Sequence, residues 1–205
     1  MTGGPASTAV PQVWRDEVGA CLNPVPVRLC AEKGRPAAVL VGLIQRQDEW
    51  HVIMTKRAGH LAHHAGQIRF PGGKVDPADA SLTAAALREA DEEIALPPAA
   101  VTVLGALDVV ISPVGFVVQP VVGIVETMVE LVAAPQEVES VLLLPLAVLM
   151  DRKRHRRESY LRAGEKREVW VIDHEDHYLW GLSASILVDL ASRLEPLDAK
   201  GQAAG

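Results

Sequence analysis

The stretch from Phe70 to Leu96 constrains this chain most. It opens on Pro71-Gly72-Gly73 and closes on a segment that can only be a helix. Asp79 and Ser81 can each cap the N-terminus. Leu82 to Leu87 is built of strong helix formers apart from Thr83, and Pro97-Pro98 forbids continuation. Projected at about 100° per residue, Thr83, Leu87, Ala90 and Ile94 share a face that should pack on a core. Glu89, Glu92 and Glu93 share another, and Asp91 points elsewhere.

That acidic face breaks two local rules. Like charges three and four residues apart repel by roughly 0.2–0.5 kcal/mol per pair. They also stand in the C-terminal half of the helix, where the dipole favours cations, and no Lys or Arg follows them there. Sequences violate local rules most often at functional sites. An ordinary solvated face mixes its signs. A divalent cation would relieve the repulsion. Hard oxygen ligands on one helix face suit Mg²⁺ or Mn²⁺, with the remaining positions left to water and a substrate phosphate. Glycine before the helix lets the backbone approach a ligand closely.

With Gly73, Asp79 and Arg88-Glu89-Ala90-Asp91-Glu92-Glu93-Ile94-Ala95-Leu96 in view, the segment resembles the Nudix box. That family hydrolyses nucleoside diphosphates linked to another moiety. Its pattern is Gly, five residues, Glu, seven residues, then Arg-Glu-aliphatic-x-Glu-Glu-x-Gly-aliphatic. This chain departs from it in four details. Asp79 replaces the first Glu, the gap to Arg88 is one residue longer, Ala90 stands at an aliphatic position, and Ala95 replaces the closing Gly, so the helix end has no glycine for a left-handed position.

A narrower resemblance flanks the box. Thr55-Lys56-Arg57, His64-Ala65-Gly66-Gln67-Ile68 and Phe70-Pro71-Gly72-Gly73-Lys74 are similar to the signature of coenzyme A pyrophosphatases. Segments 104–123 and 137–146 and Trp180-Gly181-Leu182-Ser183-Ala184 extend the similarity across roughly residues 36–194. The extra residue before Arg88 is a habit of that subfamily. The resemblance implies hydrolysis of CoA or acyl-CoA to 3′,5′-ADP and (acyl-)4′-phosphopantetheine. Two alternatives stay open. One is a Nudix diphosphatase for an ADP-sugar, NADH or a damaged nucleotide. The other is a non-catalytic nucleotide-sensing module, although no metal carboxylate is lost here.

The candidate ligands of Mg²⁺ or Mn²⁺ are Glu89, Glu93 and Glu92, with the Gly73 carbonyl as a further contact. Arg88 orients a neighbouring carboxylate by charge-assisted hydrogen bonds. Glu137 or Glu139 supplies a further base; the two cannot be separated from sequence. Lys56, Arg57, His64, Gln67 and Gly72 are expected at the substrate, Lys56 and Arg57 leaving a strand as a loop and lining one cleft. Arg57 is expected to read the 3′-phosphate that distinguishes CoA, with Arg152 to Arg157 as the second choice; the default for that basic run is a solvated loop. His60, His63 and His64 lack a visible fourth zinc ligand.

The rest of the chain reads as a mixed α/β domain. Pro36–Ile44 is a buried strand, Gln47-Asp48-Glu49 a turn, and 50–55 a returning strand. Segments 101–107, 116–125, 141–145, 158–161 and 168–172 are further strands. A short helix is expected over 146–150 and an amphipathic one over 183–194. The expected architecture is a Nudix-type α/β/α sandwich with a mixed β-sheet: one domain over residues 13–194, between flexible tails at 1–12 and 195–205. A formal net charge of −6 argues against nucleic acid and anionic membranes. No apolar run reaches the ~20 residues of a membrane span, and Met1-Thr2-Gly3-Gly4-Pro5 does not open a signal peptide. Cys21 and Cys30 fit no metal spacing or disulfide framework. The expectation is a cytoplasmic protein with a small-molecule substrate, homodimerisation left open.

Overall fold

The computed structural model describes residues 12–27, 34–59, 66–125, 129–162 and 164–203. Expectations placed on residues 1–11, on His60, His63 and His64, and on Cys30 lie outside them.

Helix α1 (Gln12–Ala20) precedes β1 (Arg35–Arg46) and β2 (Glu49–Arg57). These two strands form an antiparallel hairpin with Arg46 opposite Glu49. Its connection is Gln47-Asp48, both with positive φ (50° and 65°), the conformation of a two-residue type I′ turn whose twist matches the strands. Next come β3 (Ile68–Arg69), β4 (Gly72–Lys74), α2 (Leu82–Ile94), β5 (Val101–Ala106), β6 (Val110–Ile111), β7 (Phe116–Val125), β8 (Val138–Pro145) and α3 (Leu146–Met150). The chain closes with β9 (His155–Arg162), β10 (Glu165–Asp173), β11 (Tyr178–Trp180) and α4 (Gly181–Ala203). The last helix thus runs well beyond Leu194, where the sequence reading ends it.

Among the described residues, eight strands make one sheet along the path β3-β2-β1-β7-β5, with β4 also on β1, β6 on β7 and β8 on β2. The β1–β7 pair is parallel, from Arg35 opposite Phe116 to Ile44 opposite Val125, and the other pairs are antiparallel, so the sheet is mixed as expected. Strands β1 and β7 are its centre, buried on both faces over almost their whole length, which is why they read as unbroken apolar runs rather than alternating ones. Strands β11-β10-β9 form a second, antiparallel sheet.

Two cores flank the main sheet. Leu82, Ala85, Ala86, Ala90 and Ile94 of α2 pack with Ala38, Leu40, Ile44, Ile53 and Val121 on one face. On the other, Ala184, Ile186, Leu187, Leu190 and Leu194 of α4 pack with Val39, Val41, Val52, Met54 and Ile68, joined by α3 and by Val18 of α1. The result is the α/β/α sandwich. Thr83 and Leu87, assigned by projection to the packed face, sit at its margin, and Glu93 is buried inside it. Ala85, Ala86 and Ala90, the residues small enough for close approach, face the sheet.

Candidate active site

Strand β4 brings the glycines against β1, with Gly72 opposite Val39 and Gly73 opposite Ala38. Gly72 has φ of +148°, and a Cβ there would lie 2.5 Å from both the Ala38 carbonyl oxygen and the Val39 Cα. No side chain fits. At Gly73 a Cβ would fall 2.5 Å from Glu89 Oε2, so the missing side chain is the space that the Glu89 carboxylate fills.

Helix α2 starts as read from sequence at Ser81, whose hydroxyl accepts the Ala84 N–H at 3.1 Å. Asp79 does something else. Its two oxygens accept from Arg88 Nε at 2.9 Å and Nη2 at 3.0 Å, a bidentate fork that holds its carboxyl below the usual carboxylate range. Arg88 also donates to Glu89 and Glu92 at 3.0 Å each and to the Lys74 carbonyl at 3.1 Å. One guanidinium thus ties the loop to three acids, and its own pKa is raised, first by the hydrogen bond to Asp79.

The three helix glutamates differ. Glu92 is exposed and turned to Arg88. The Glu89 side chain is 16% exposed. Burial pushes its carboxyl up, Arg88 opposes this, and the charges of Glu92 and Glu137 add to the rise. Glu93 is only 2% exposed. Its Oε1 accepts from Arg69 Nη2 and its Oε2 from the Gly72 N–H at 3.3 Å. Burial raises its pKa first, against Arg69 and Gly72, and Glu89 raises it further.

Arg69 was not anticipated. It also donates to the Gly72 carbonyl at 2.7 Å, clamping the glycine loop and the buried acid together. The signal was alternation: Ile68 and Phe70 belong to the core on the α4 face, so the residue between them points at α2.

Glu137 reaches the site through the far end of α2. The last carbonyls of a helix need outside partners; here Glu93 O accepts from the Ala134 N–H at 2.9 Å and Ile94 O from the Val132 N–H at 3.0 Å. This pins the segment before β8 beside the carboxylates, and the Glu137 charge is felt by Glu89 and by Arg57. Glu139 instead pairs with Lys56 at 2.6 Å.

Lys56 and Arg57 lie within β2, paired with β3 and β8, and are not a departing loop. The strand pleat therefore sends them to opposite faces. Arg57 stands near Arg69, Glu137 and Glu93, and burial, then Arg69, hold its pKa below the ordinary value. Lys56 lines a cleft on the α4 side of β3, together with Gln67. The single cleft expected for the pair is thus two separate surroundings. Each of the four arginines between 152 and 157 pairs with a carboxylate: Arg152 with Glu195, Arg154 with Asp151, Arg156 with Glu158 and Asp173, Arg157 with Glu168. That supports the solvated default. His64 lies outside the described residues.

The structure thus gathers Gly72, Gly73, Arg88, Glu89, Glu92, Glu93, Glu137 and Arg57, and leaves Lys56 and Gln67 at a separate cleft. A family model described as the NUDIX domain matches residues 33–163, more than half of the chain.

The chain belongs to the Nudix family.

The uncharacterized Nudix hydrolase NudL of Salmonella paratyphi B is 45% identical to it over 160 residues, spanning 78% of this chain and 83% of the relative. The NudL of Salmonella newport matches to the same extent. A MutT/nudix family protein from Enterococcus faecalis has a similar fold, with a TM-score of 0.51 at 17% identity over 82% of this chain and 65% of its own. Nudix hydrolases generally use divalent metal ions. This Nudix chain offers donors that fit one. Among the described residues no three His, Cys, Asp or Glu side chains converge to enclose a metal by themselves. Mg²⁺, however, takes one or two carboxylates and fills the rest with water and phosphate. Glu89 and Glu93, neighbouring hard-oxygen donors whose carboxyl pKa values burial raises, supply that number. Among the described residues no helix is long and apolar enough to cross a membrane.

Proposed function

We propose that this Nudix hydrolase cleaves the pyrophosphate of CoA or acyl-CoA, giving 3′,5′-ADP and (acyl-)4′-phosphopantetheine, as a cytoplasmic enzyme dependent on Mg²⁺ or Mn²⁺. The metal-binding part rests on one observation: Glu89 and Glu93, one turn apart, are fixed from opposite sides by Arg88 and Arg69, Glu89 against Gly73 and Glu93 on the Gly72 N–H. The choice of CoA rests on the flanking motifs around Lys56-Arg57, Gly66-Gln67 and Phe70-Pro71-Gly72-Gly73-Lys74.

Glu89 and Glu93, with the Gly73 carbonyl, would hold the cation, while Glu92 is exposed and turned to Arg88. When bound, it neutralises phosphate oxygens and lowers the pKa of water. Arg88 keeps Glu89 oriented through the Asp79 fork. Arg57, facing the carboxylates, binds a diphosphate oxygen that would otherwise repel them, a better role for it than reading the 3′-phosphate. We assign the base to Glu137 rather than Glu139. Two observations support this: Glu137 couples to Glu89, and Glu139 is engaged by Lys56.

Product analysis after incubating the purified protein with CoA and Mg²⁺ or Mn²⁺ tests the reading. It expects 3′,5′-ADP and 4′-phosphopantetheine in equal amounts and no turnover in chelator. Cleavage of an ADP-sugar or NADH with CoA left intact would overturn it.

A further inference from the structure

Among the described residues four polar side chains are buried: Thr55, Glu93, Gln119 and Ser183. Three of them converge on the two residues of β3. The Thr55 hydroxyl donates to the Arg69 carbonyl at 3.2 Å, and the Ser183 hydroxyl to the Ile68 carbonyl at 3.1 Å. Glu93 takes the Arg69 side chain. A strand of two residues makes few ladder bonds of its own, so buried hydroxyls on β2 and α4 satisfy its remaining backbone groups. Together they fix one side chain, Arg69, against α2.

The Arg69 guanidinium donates from Nη1 to the Gly72 carbonyl at 2.7 Å and from Nη2 to Glu93 Oε1. Its Nε is buried with no hydrogen-bond partner among the described residues. Buried donors are nearly always satisfied, so the group is placed for its two partners and not for its own hydrogen bonding. Arg88 treats the other acid alike, donating to Glu89 Oε1 at 3.0 Å. Each carboxylate therefore has one oxygen held by an arginine, and Oε2 remains. On Glu93 it accepts the Gly72 N–H at 3.3 Å, longer than an ordinary N–H···O bond. On Glu89 it lies 2.5 Å from the point that a Cβ on Gly73 would fill.

A carboxylate with both oxygens free can chelate one ion, whereas one with an oxygen engaged offers a single donor. Ca²⁺ takes about six to eight oxygens and accepts bidentate carboxylates, while Mg²⁺ is smaller, demands octahedral geometry and uses one or two carboxylates with water and phosphate. Mn²⁺ shares that octahedral preference for oxygen. We propose that Arg69 is the specificity-determining residue of the metal site: by occupying Oε1 of Glu93, as Arg88 occupies Oε1 of Glu89, it leaves one oxygen on each acid and selects Mg²⁺ or Mn²⁺ over Ca²⁺. This rests on the metal-binding half of the reading above and is independent of the choice of CoA. Arg69 lies outside the box and acts through Glu93.

The test is metal binding to the full chain without substrate. Bound Mn²⁺ is read from the loss of the free-ion electron paramagnetic resonance signal, and Ca²⁺ is titrated against it. The variants are Arg69→Met, which has no donor, and Arg69→Lys, which keeps the charge without the fork and serves if Arg69→Met does not fold. Removing a cation tightens every divalent ion alike, whereas freeing a carboxylate oxygen favours Ca²⁺. The expected result is that the preference for Mn²⁺ over Ca²⁺ falls about tenfold in Arg69→Met, or about 1.4 kcal/mol, and in the same direction in Arg69→Lys. An unchanged or raised preference in either folded variant would reduce Arg69 to a structural counter-ion and overturn the proposal. Glu89→Gln is the control and should weaken Mn²⁺ binding about tenfold or more. Unchanged Mn²⁺ binding in that variant would instead defeat the metal site of the functional reading.

Discussion

Glu89 and Glu93 stand one turn apart and look equivalent in sequence, yet replacing each by Gln should move stability in opposite directions. Glu93 accepts one bond on each oxygen, from Arg69 and from the Gly72 N–H. A glutamine amide can accept on one side only, so one buried donor would face another. An unsatisfied buried donor costs about 1–3 kcal/mol, and breaking a buried ion pair about 3–5 kcal/mol. The two descriptions overlap at about 3 kcal/mol, which for a chain of this size lowers Tm by roughly 6–12 °C. Glu89→Gln instead removes a charge repelled by Glu92 and Glu137, while Arg88 keeps Asp79 and Glu92. Relieving like charges is worth roughly 0.2–0.5 kcal/mol per pair, so Tm should hold or rise by about 1–2 °C. Both variants should lose about 10²-fold or more in kcat. The assay is thermal unfolding in chelator, repeated with Mg²⁺, which should raise the Tm of the parent by mass action and that of Glu89→Gln far less. Equal Tm shifts in the two variants, or a Glu93→Gln protein as stable as the parent, would refute the assignment of Arg69 as the partner that holds Glu93.

Arg88→Lys should cost about 1.5–3 kcal/mol and lower kcat, because an ammonium cannot reproduce the fork on Asp79; unchanged urea unfolding and kinetics would count against the clamp. Ala95, with φ of 53°, closes α2 in the left-handed region, so Ala95→Gly should stabilise by about 1 kcal/mol and raise Tm by roughly 2–4 °C; a lower Tm would contradict the strain. In chelator, Glu89 contributes stability that is complete below the unfolded value of about 4.3 and is lost as pH rises through its raised folded pKa. The stability of Glu89→Gln relative to the parent should therefore grow across that window in urea titrations; a gap that shrinks with rising pH has the wrong sign. Asp79, held below its usual range, acts oppositely, its contribution lost as pH falls through the lowered value. Arg57→Ala should raise KM for CoA and dephospho-CoA alike, by about tenfold or more; a loss confined to CoA would return Arg57 to the 3′-phosphate.

The parts of the fold legible in sequence were those fixed by short-range rules. Gln47-Asp48 between two apolar runs gave the hairpin, Ser81 and Pro97 bounded α2, and the apolar runs of β1 and β7 marked the strands covered on both faces. The box residues were legible for the same reason: helical spacing alone brings Glu89, Glu92 and Glu93 to one region. What helical spacing could not give was depth. Glu93 is buried and Glu92 exposed because the packed face is centred on the side of Ala86 and Ala90, turned toward Glu93 and away from Thr83 and Leu87. The end of α2 at Ala95 shows the converse: backbone demand for a left-handed cap overrode the absence of glycine, since Asp91 and Ala90 carbonyls needed the Ala95 and Leu96 N–H groups.

The residues that sequence left ambiguous differ in their pairing across the sheet. Glu137 and Glu139 are two apart and chemically alike, but Glu139 meets Lys56 from β2, and Glu137 lies on a segment hydrogen-bonded to the end of α2. Lys56 and Arg57 are adjacent, and adjacency misleads within a strand, where neighbours look in opposite directions. The pleat turns a dipeptide into two cations on two faces: Arg57 stands with Arg69 near Glu137 and Glu93, and Lys56 is paired with Glu139 on the other face.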